Sequence, residues 1–447
     1  MEFTTIDSRK CKRNREGGAC QQDEGIAESW KKFQQKWEID LEGTARASKA
    51  LQRKREIRSA EDLLRLIVWY AMNDWSLRLT ALWAALTNIG YLSDVAVLKR
   101  LRNSVEWLGK LIGMLLQRRL SDLQSLPGVR MRVVDATTIS IPGSSGTGWR
   151  IHLSFDLGNF CLDGVEISDK YGGESLARFE ARDNEIWIAD AGYAFASGMA
   201  PVLDKGAKLI VRINWRNVPV IAPDGQRLKV IDWLRTVTDL SERSVWMKMP
   251  SGWFAFRLIA APLPPEKAES ARRRVRLAYQ RKKKPLNPDT LFAAGFVLLL
   301  TNLPVEDWSA RKVLALYRMR WQIEVYIKRL KSVLNFDLLR AKDARLAQTY
   351  LLAKILIALI TDQFIAYPVN QFPDWFACLD RPVSPQRLTM LFRETLRQIM
   401  TRFNVSSLQT SFPRLRRYLC DPPRRRLQHS AWGRALALHS SFHDFCP

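Results

Sequence analysis

Cysteine is scarce and unpatterned in this chain. The six are Cys11, Cys20, Cys161, Cys378, Cys420 and Cys446. None forms a CxxC pair and no spacing matches a zinc site. Disulfide scaffolds and zinc modules are therefore excluded, and free thiols in a reducing cytosol are expected. Long apolar runs are also lacking. The longest, YLLAKILIALI at 350–360, is about half of a membrane span and carries Lys354. The opening stretch MEFTTIDSRKCKRNREGGAC has no apolar core, so no signal peptide is expected. No internal repeat and no dominant low-complexity stretch is present. Acid is in deficit: 45 Asp and Glu face 70 Lys and Arg, a net charge of +25. That balance points to a polyanionic partner, most simply nucleic acid. The competing reading is a basic protein at a membrane surface. A cytoplasmic protein with no membrane span is expected.

The chain has 447 residues with 47% hydrophobic content, enough for two to four packed domains. Residues 1–58 are polar and charged, and a loose tail is expected there. From Glu61 apolar residues recur every three to four positions, which predicts helices over 59–124. Gly90 marks a turn, and Ser93 is placed to cap the helix DVAVLKRL. Helix, short turn and helix, with Lys99, Arg100 and Arg102 on the second, fit either a DNA-reading element or an ordinary bundle with a solvated basic face.

Near Pro127 the period changes to two. VRMRVVDATTISI (129–141), WRIHLSFDL and CLDGVEISD read as strands, followed by a short helix in GGESLARFEA. EIWIAD (185–190) is a strand, SGMAPVLDKG a helix and AKLIVRIN (207–214) a strand. This order predicts a mixed α/β sheet over 125–215. Residues 216–296 change texture: QRLKVIDWL, RSVWMKMP and GWFAFRLIAAPL read as short strands, and ARRRVRLAYQRKKKP (271–285) is strongly basic. GFVLLLTNLP begins a further part, 297–365, with a buried strand and helices. Residues 366–447 are less regular, with basic clusters RLRRYL and PPRRRLQ.

Three carboxylates stand out. Asp135 lies inside a strand beside Val133 and Val134, and Asp190 closes another. A carboxylate at a buried strand is costly unless paired or metal-bound, although a lone one is ordinarily a cap or turn residue. The third is Glu324, the one acid in YRMRWQIEVYIKRLK. At about 100° per residue, Tyr317, Arg320, Glu324, Lys328 and Lys331 fall on one helix face about 80° wide. A solvated face with i,i+4 ion pairs is the plain alternative. Grouped carboxylates bind two hard divalent ions about 3.5–4 Å apart, which activate a water or 3′-hydroxyl at a phosphodiester. Arg320 and Lys331 would then hold the neighbouring phosphates.

Tyr317, Arg320, Glu324 and Lys331 match the spacing Tyr-x2-Arg-x3-Glu-x6-Lys, for which roughly 0.03 chance matches are expected in such a chain. With this signature the sequence resembles the DDE transposases of bacterial insertion sequences. VVDATTISIPGSSGTGWRIHLSFDL, IADAGYA and VLLLTNLP are similar to the family's two Asp blocks and the strand closing its inserted domain, so the resemblance spans roughly 61–365. It implies an RNase H-like mixed sheet interrupted by a mostly β insertion at 216–296. An α-helical N-terminal DNA-binding domain and a helical C-terminal region are implied on either side. It implies Asp135, Asp190 and Glu324 as a catalytic triad binding two Mg²⁺, or Mn²⁺, with Tyr317, Arg320, Lys331 and Lys328 against DNA. Cut-and-paste transposition through a DNA hairpin follows from it, acting on inverted-repeat ends and target DNA from a homodimeric synaptic complex. The basic segment 271–285 becomes a further expected DNA contact. In well-known members a Trp before the LLLT strand stacks a flipped base. Val297 stands there, leaving Phe296, Trp246 or Trp253 as replacements, or a different hairpin step. The alternatives are an inactive end-binding relative and an RNase H-like nuclease.

Overall fold

A computed structural model describes residues 39–124, 128–371 and 384–401. The helical part begins earlier than expected. Helix α1 (Leu41–Ala47) is capped by Asp40, whose carboxylate accepts from the Gly43 amide. Ala45, Leu51 and Ile57 are buried in the main core. Residues 39–58 are thus packed structure, a correction to the loose tail expected through 58. Its start, 1–38, lies outside the described residues.

α2 (Ala60–Met72), α3 (Leu77–Leu86) and α4 (Asp94–Arg102) follow, each opened by a serine cap: Ser59, Ser76 and Ser93. Such caps satisfy amides that the first helical turn leaves unpaired. α5 (Val105–Gln124) completes the group. The basic face of α4 is partly engaged internally. Arg102 makes a bidentate pair with Asp343, and Arg100 donates to the Arg53 carbonyl.

β1 (Arg130–Ser140), β2 (Thr147–Asp156) and β3 (Cys161–Asp169) form an antiparallel meander. β4 (Glu185–Ala189) then pairs parallel to β1, and β5 (Lys208–Arg212) parallel to β4, with α6 (Ala196–Asp204) as the crossover. The next segment departs from expectation. QRLKVIDWL does not make a strand; it contributes α7 (Val230–Thr236), whose Val230, Ile231 and Leu234 are buried at helical spacing. β6 (Ser241–Met249) and β7 (Gly252–Pro262) do not form a separate β unit. They extend the same sheet through β8 (Phe296–Thr301), giving eight strands in the order β3-β2-β1-β4-β5-β8-β7-β6. Between β7 and β8 stand α8 (Pro265–Arg281) and α9 (Pro288–Ala293). The stretch 216–296 is therefore a mixture of helix and strand, a correction to the mostly β insertion expected.

α10 (Ala310–Met319), α11 (Trp321–Leu334), α12 (Ala344–Gln371) and α13 (Pro385–Met400) complete the described chain. The rest of 366–447 lies outside it. Alternation along the strands gives each face its own core. Val133, Ile188, Ile210 and Leu299 face the helices of the N-terminal group with α11 and α12. Val134, Trp187, Val211 and Leu300 face α6 and α7. One stretch, Ala344–Gln363, is apolar and long enough to cross a membrane, but 78% of its most apolar window is buried inside the fold. Cys161 is a free thiol that burial pushes up to about 12; the other five cysteines lie outside the described residues.

Lys354 of α12 is 1% exposed, donates to the Asn335 carbonyl at the end of α11, and lies 4.1 Å from the Tyr350 ring centre. Burial lowers its pKa to about 7 from the ordinary 10.5, with Asp74 and Asp337 opposing the shift. The unfolded lysine holds its proton up to about 10.5, so the cost of folding it is full below 7 and is relieved as pH rises between these values. Wild-type stability is expected to rise relative to Lys354→Met by up to about 1.4 kcal/mol per pH unit in that window. Parallel denaturation of both proteins at pH 7 and 9.5 measures it, and identical pH profiles would refute the buried-ammonium account.

Candidate active site

The β-branched run around Asp135 keeps β1 extended, and pairing with Leu153 of β2 holds the residue in mid-strand. Asp190 ends β4 and caps a short 3₁₀ turn, Ala191–Tyr193, accepting from the Gly192 amide at 2.9 Å. The parallel register pairs Val133 with Ile188. Two residues further along both strands, Asp135 lies beside Asp190. Both belong to the face carrying Val133 and Ile188, the face covered by α11. Adjacent strands run about 4.8 Å apart, so two carboxylates share one small volume.

The segment 317–331 is not one continuous helix. It breaks at Arg320, where α10 ends and α11 begins. Arg320 nevertheless keeps helical dihedrals, φ −51° and ψ −31°. The expected face therefore survives across the break. Arg320 donates to Glu324, stands 3.9 Å from Asp135 Oδ2, and lies 5.9 Å from the Tyr317 ring centre. Asp135, Glu324, Lys328 and Lys331 line one depression of about 320 Å³ with Ala136, Thr137 and Ile327. Among the described residues no acid pairs with Lys328 or Lys331.

The electrostatics follow the geometry. Burial pushes Asp135 up to about 6, and the charges of Asp190 and Glu324 add to this. The Ala136 amide and the Arg320 guanidinium oppose it. Burial also raises Tyr317, with Arg320 and Arg212 opposing. Burial is the main cause, and the charges of Asp190 and Glu324 add to it, so a cation placed among these carboxylates would favour their ionised forms. Carboxylate oxygens suit a hard divalent ion, and the elevated Asp135 is the observation that fits one. Among the described residues no group of three His, Cys, Asp or Glu side chains is gathered to enclose a metal. Arg320 instead stands between Asp135 and Glu324 as their positive charge.

Two neighbours escaped sequence reasoning. Extending the β4–β5 register by one residue puts Arg212 beside Asp190. Its only sequence signal was a charge closing an apolar strand. Glu174, in the loop after β3, reaches Asp190 as well: that charge adds to the burial that raises Glu174, and a Cβ on Gly192 would collide with Glu174 Oε2.

The aromatic replacements for a stacking Trp are misplaced. Phe296 turns to the opposite face and packs on Phe292. Trp253 and Trp246 lie on exposed parts of the β6–β7 hairpin. Ile259 is the β7 residue level with Leu299 and Arg212. Trp253 is six residues behind it, about 20 Å toward the other end of the sheet. Trp321, by contrast, is 60% exposed and borders a groove of about 1100 Å³ that shares Glu324 and Lys328 with the smaller depression.

A family model described as Transposase DDE domain matches residues 127–360. The InsL protein of insertion sequence element IS186A from Escherichia coli (strain K12) is 40% identical over 342 residues, covering 75% of this chain and 92% of that protein. The transposase for insertion sequence element IS421, also from Escherichia coli, is 39% identical over 343 residues, with the same coverage. A solved structure described as a cryo-EM piggyBac transposase synaptic complex with hairpin DNA aligns at TM-score 0.45 and 10% identity, covering 91% of this chain and 87% of that one.

Proposed function

The chain belongs to the transposase DDE domain family, and from that premise we propose that it is a cut-and-paste DNA transposase of an insertion sequence. The observation that carries the reading is that the strand register sets Asp135 level with Asp190 on adjacent parallel strands, while Glu324 of α11 lines one depression with Asp135. The strand order β3-β2-β1-β4-β5 supports an RNase H-like core, with β8, β7 and β6 added at one edge.

Asp135 and Asp190 would hold one Mg²⁺, or Mn²⁺, between them, and Glu324 with one of them a second. Bound there, the ions supply Lewis-acid stabilisation and activation of water or a 3′-hydroxyl at a phosphodiester. Lys328 and Lys331, which have no acid partner among the described residues, line a depression with Asp135 and Glu324 and would hold the flanking phosphates. Arg320 exchanges its carboxylate contacts for phosphate, and Tyr317 positions its guanidinium. The substrate is double-stranded DNA, first the inverted-repeat ends and then a target, in a homodimeric synaptic complex in the bacterial cytoplasm. For a hairpin step, the exposed face of Trp321 offers the stacking surface that Val297 lacks.

The test is strand cleavage by the purified protein on duplexes carrying the inverted repeats that flank its gene. Cleavage is expected with Mg²⁺, arrest on chelation, and recovery with Mg²⁺ or Mn²⁺. If neither ion supports cleavage of such ends, the reading is wrong.

A further inference from the structure

α8 is a helix that the fold hardly holds. Of its 17 residues, Ala268 is the buried one. Arg273, Arg281 and the Lys282–Lys284 run are exposed, and among the described residues none of these five has an acidic partner. Glu269 is taken by Arg272 and Arg276. Like charges a helical turn apart repel, and the helix dipole offsets this only at the last turn. Lys283 adds a further cost: its φ of 49° lies in the left-handed region, at a helix end where glycine is the ordinary residue. Among the described residues no acid balances Arg273, Arg281 or the lysine run.

The topology says where the charge is delivered. β7 runs parallel to β1, β4 and β5, so its carboxyl end at Pro262, which starts the α8 excursion, is the end of the sheet that holds Asp135 and Asp190. Four strand spacings separate β1 from β7 in the order β1-β4-β5-β8-β7. At about 4.8 Å each this is ~19 Å. Duplex DNA rises about 3.4 Å per base pair, so the strand leading into α8 lies some six base-pair rises from Asp135.

We infer that α8 and the lysine run after it dock on the sugar–phosphate backbone of duplex DNA about half a helical turn or more from the cleaved phosphate. The inference rests on the proposed function for its substrate and adds a second contact surface, separate from α11. Arginine and lysine crowded on one largely exposed helix suit sequence-independent backbone contact rather than base reading.

The experiment uses the full chain with Arg273, Arg281, Lys282 and Lys284 replaced by Ala and Lys283 by Gly. Affinity is measured across a salt series on an end duplex with about 20 base pairs on each side of the cleavage position, and on duplexes cut back to four base pairs on one side or the other. On the long duplex the slope of log affinity against log salt is expected to fall by about four. On one of the shortened duplexes wild type and variant should coincide, which assigns the contact to flanking or to element DNA. Arg273→Lys with Arg281→Lys should restore the slope those two residues contribute. An unchanged slope on the long duplex, or an equal loss on both shortened duplexes, overturns the inference. Mg²⁺-dependent cleavage by the wild type tests the proposed function separately, because the slope is read without metal.

Discussion

Glu324→Gln is expected to lower strand cleavage at saturating DNA by about a thousandfold or more, with end binding unchanged or tighter. The amide has the carboxylate's shape, so α11 keeps its packing through Ile323, Tyr326 and Ile327. What disappears is one negative charge among Arg320, Lys328 and Lys331, in a depression it shares with Asp135. DNA phosphates are attracted to that face, and removing the acid removes a repulsion. Cleavage suffers for the opposite reason, since a neutral amide is a poor ligand for a hard cation. Single-turnover nicking and equilibrium binding, measured on the same duplex, separate the effects. A variant that cuts at the wild-type rate would remove Glu324 from the site, and one that loses binding would make it structural.

The three carboxylates were singled out because each occupies a position that local pattern marks. Asp135 interrupts an apolar strand, Asp190 terminates one, and Glu324 has an i−4 arginine and i+4 and i+7 lysines. Helical spacing also survived the break at Arg320, since its dihedrals stay helical even though the hydrogen-bond ladder changes there. The neighbours Arg212 and Glu174 were not legible. Both reach Asp190 through strand register and loop path, which depend on pairings far apart in sequence. The same holds for the sheet's edge. That β7 joins β8 is a pairing of Ile259 with Leu299 across α8 and α9, and local texture read the change at 216 as a separate unit. α7 was misread because seven residues with two adjacent apolar positions satisfy strand and helix patterns alike. The first fifty-eight residues were read as loose because their composition is polar, while a few residues, Ala45, Leu51 and Ile57, decide the packing.

The largest stability effect is expected at the other end of β1. Arg130→Met should cost about 3–5 kcal/mol, because it strands buried acids. Arg130 Nε donates to Asp156 at 2.9 Å and Nη1 to Glu185 at 2.8 Å, and Nη2 donates to Asp163. All three carboxylates are at most 4% exposed. Arg132 shares two of them, reaching Asp163 at 3.0 Å and Glu185 at 3.2 Å, and its guanidinium stacks 4.3 Å from the Trp187 ring centre. With Arg130 gone, Arg132 is left against Asp163 and Glu185, and Asp156 loses its ion pair. Arg130→Lys should fall between, since one ammonium cannot serve three directions. Replacing Asp163 with Asn in the Arg130→Met protein should recover part of the loss, because it removes one unpaired charge. The network also bears on the site, as Arg130 pairs with Glu185 in the register that places Asp135 beside Asp190. A slip of one residue would turn Asp135 to the other face. Denaturant titration gives the stability and nicking gives the register, and a loss under about 1 kcal/mol for Arg130→Met would show that the acids find another counter-charge.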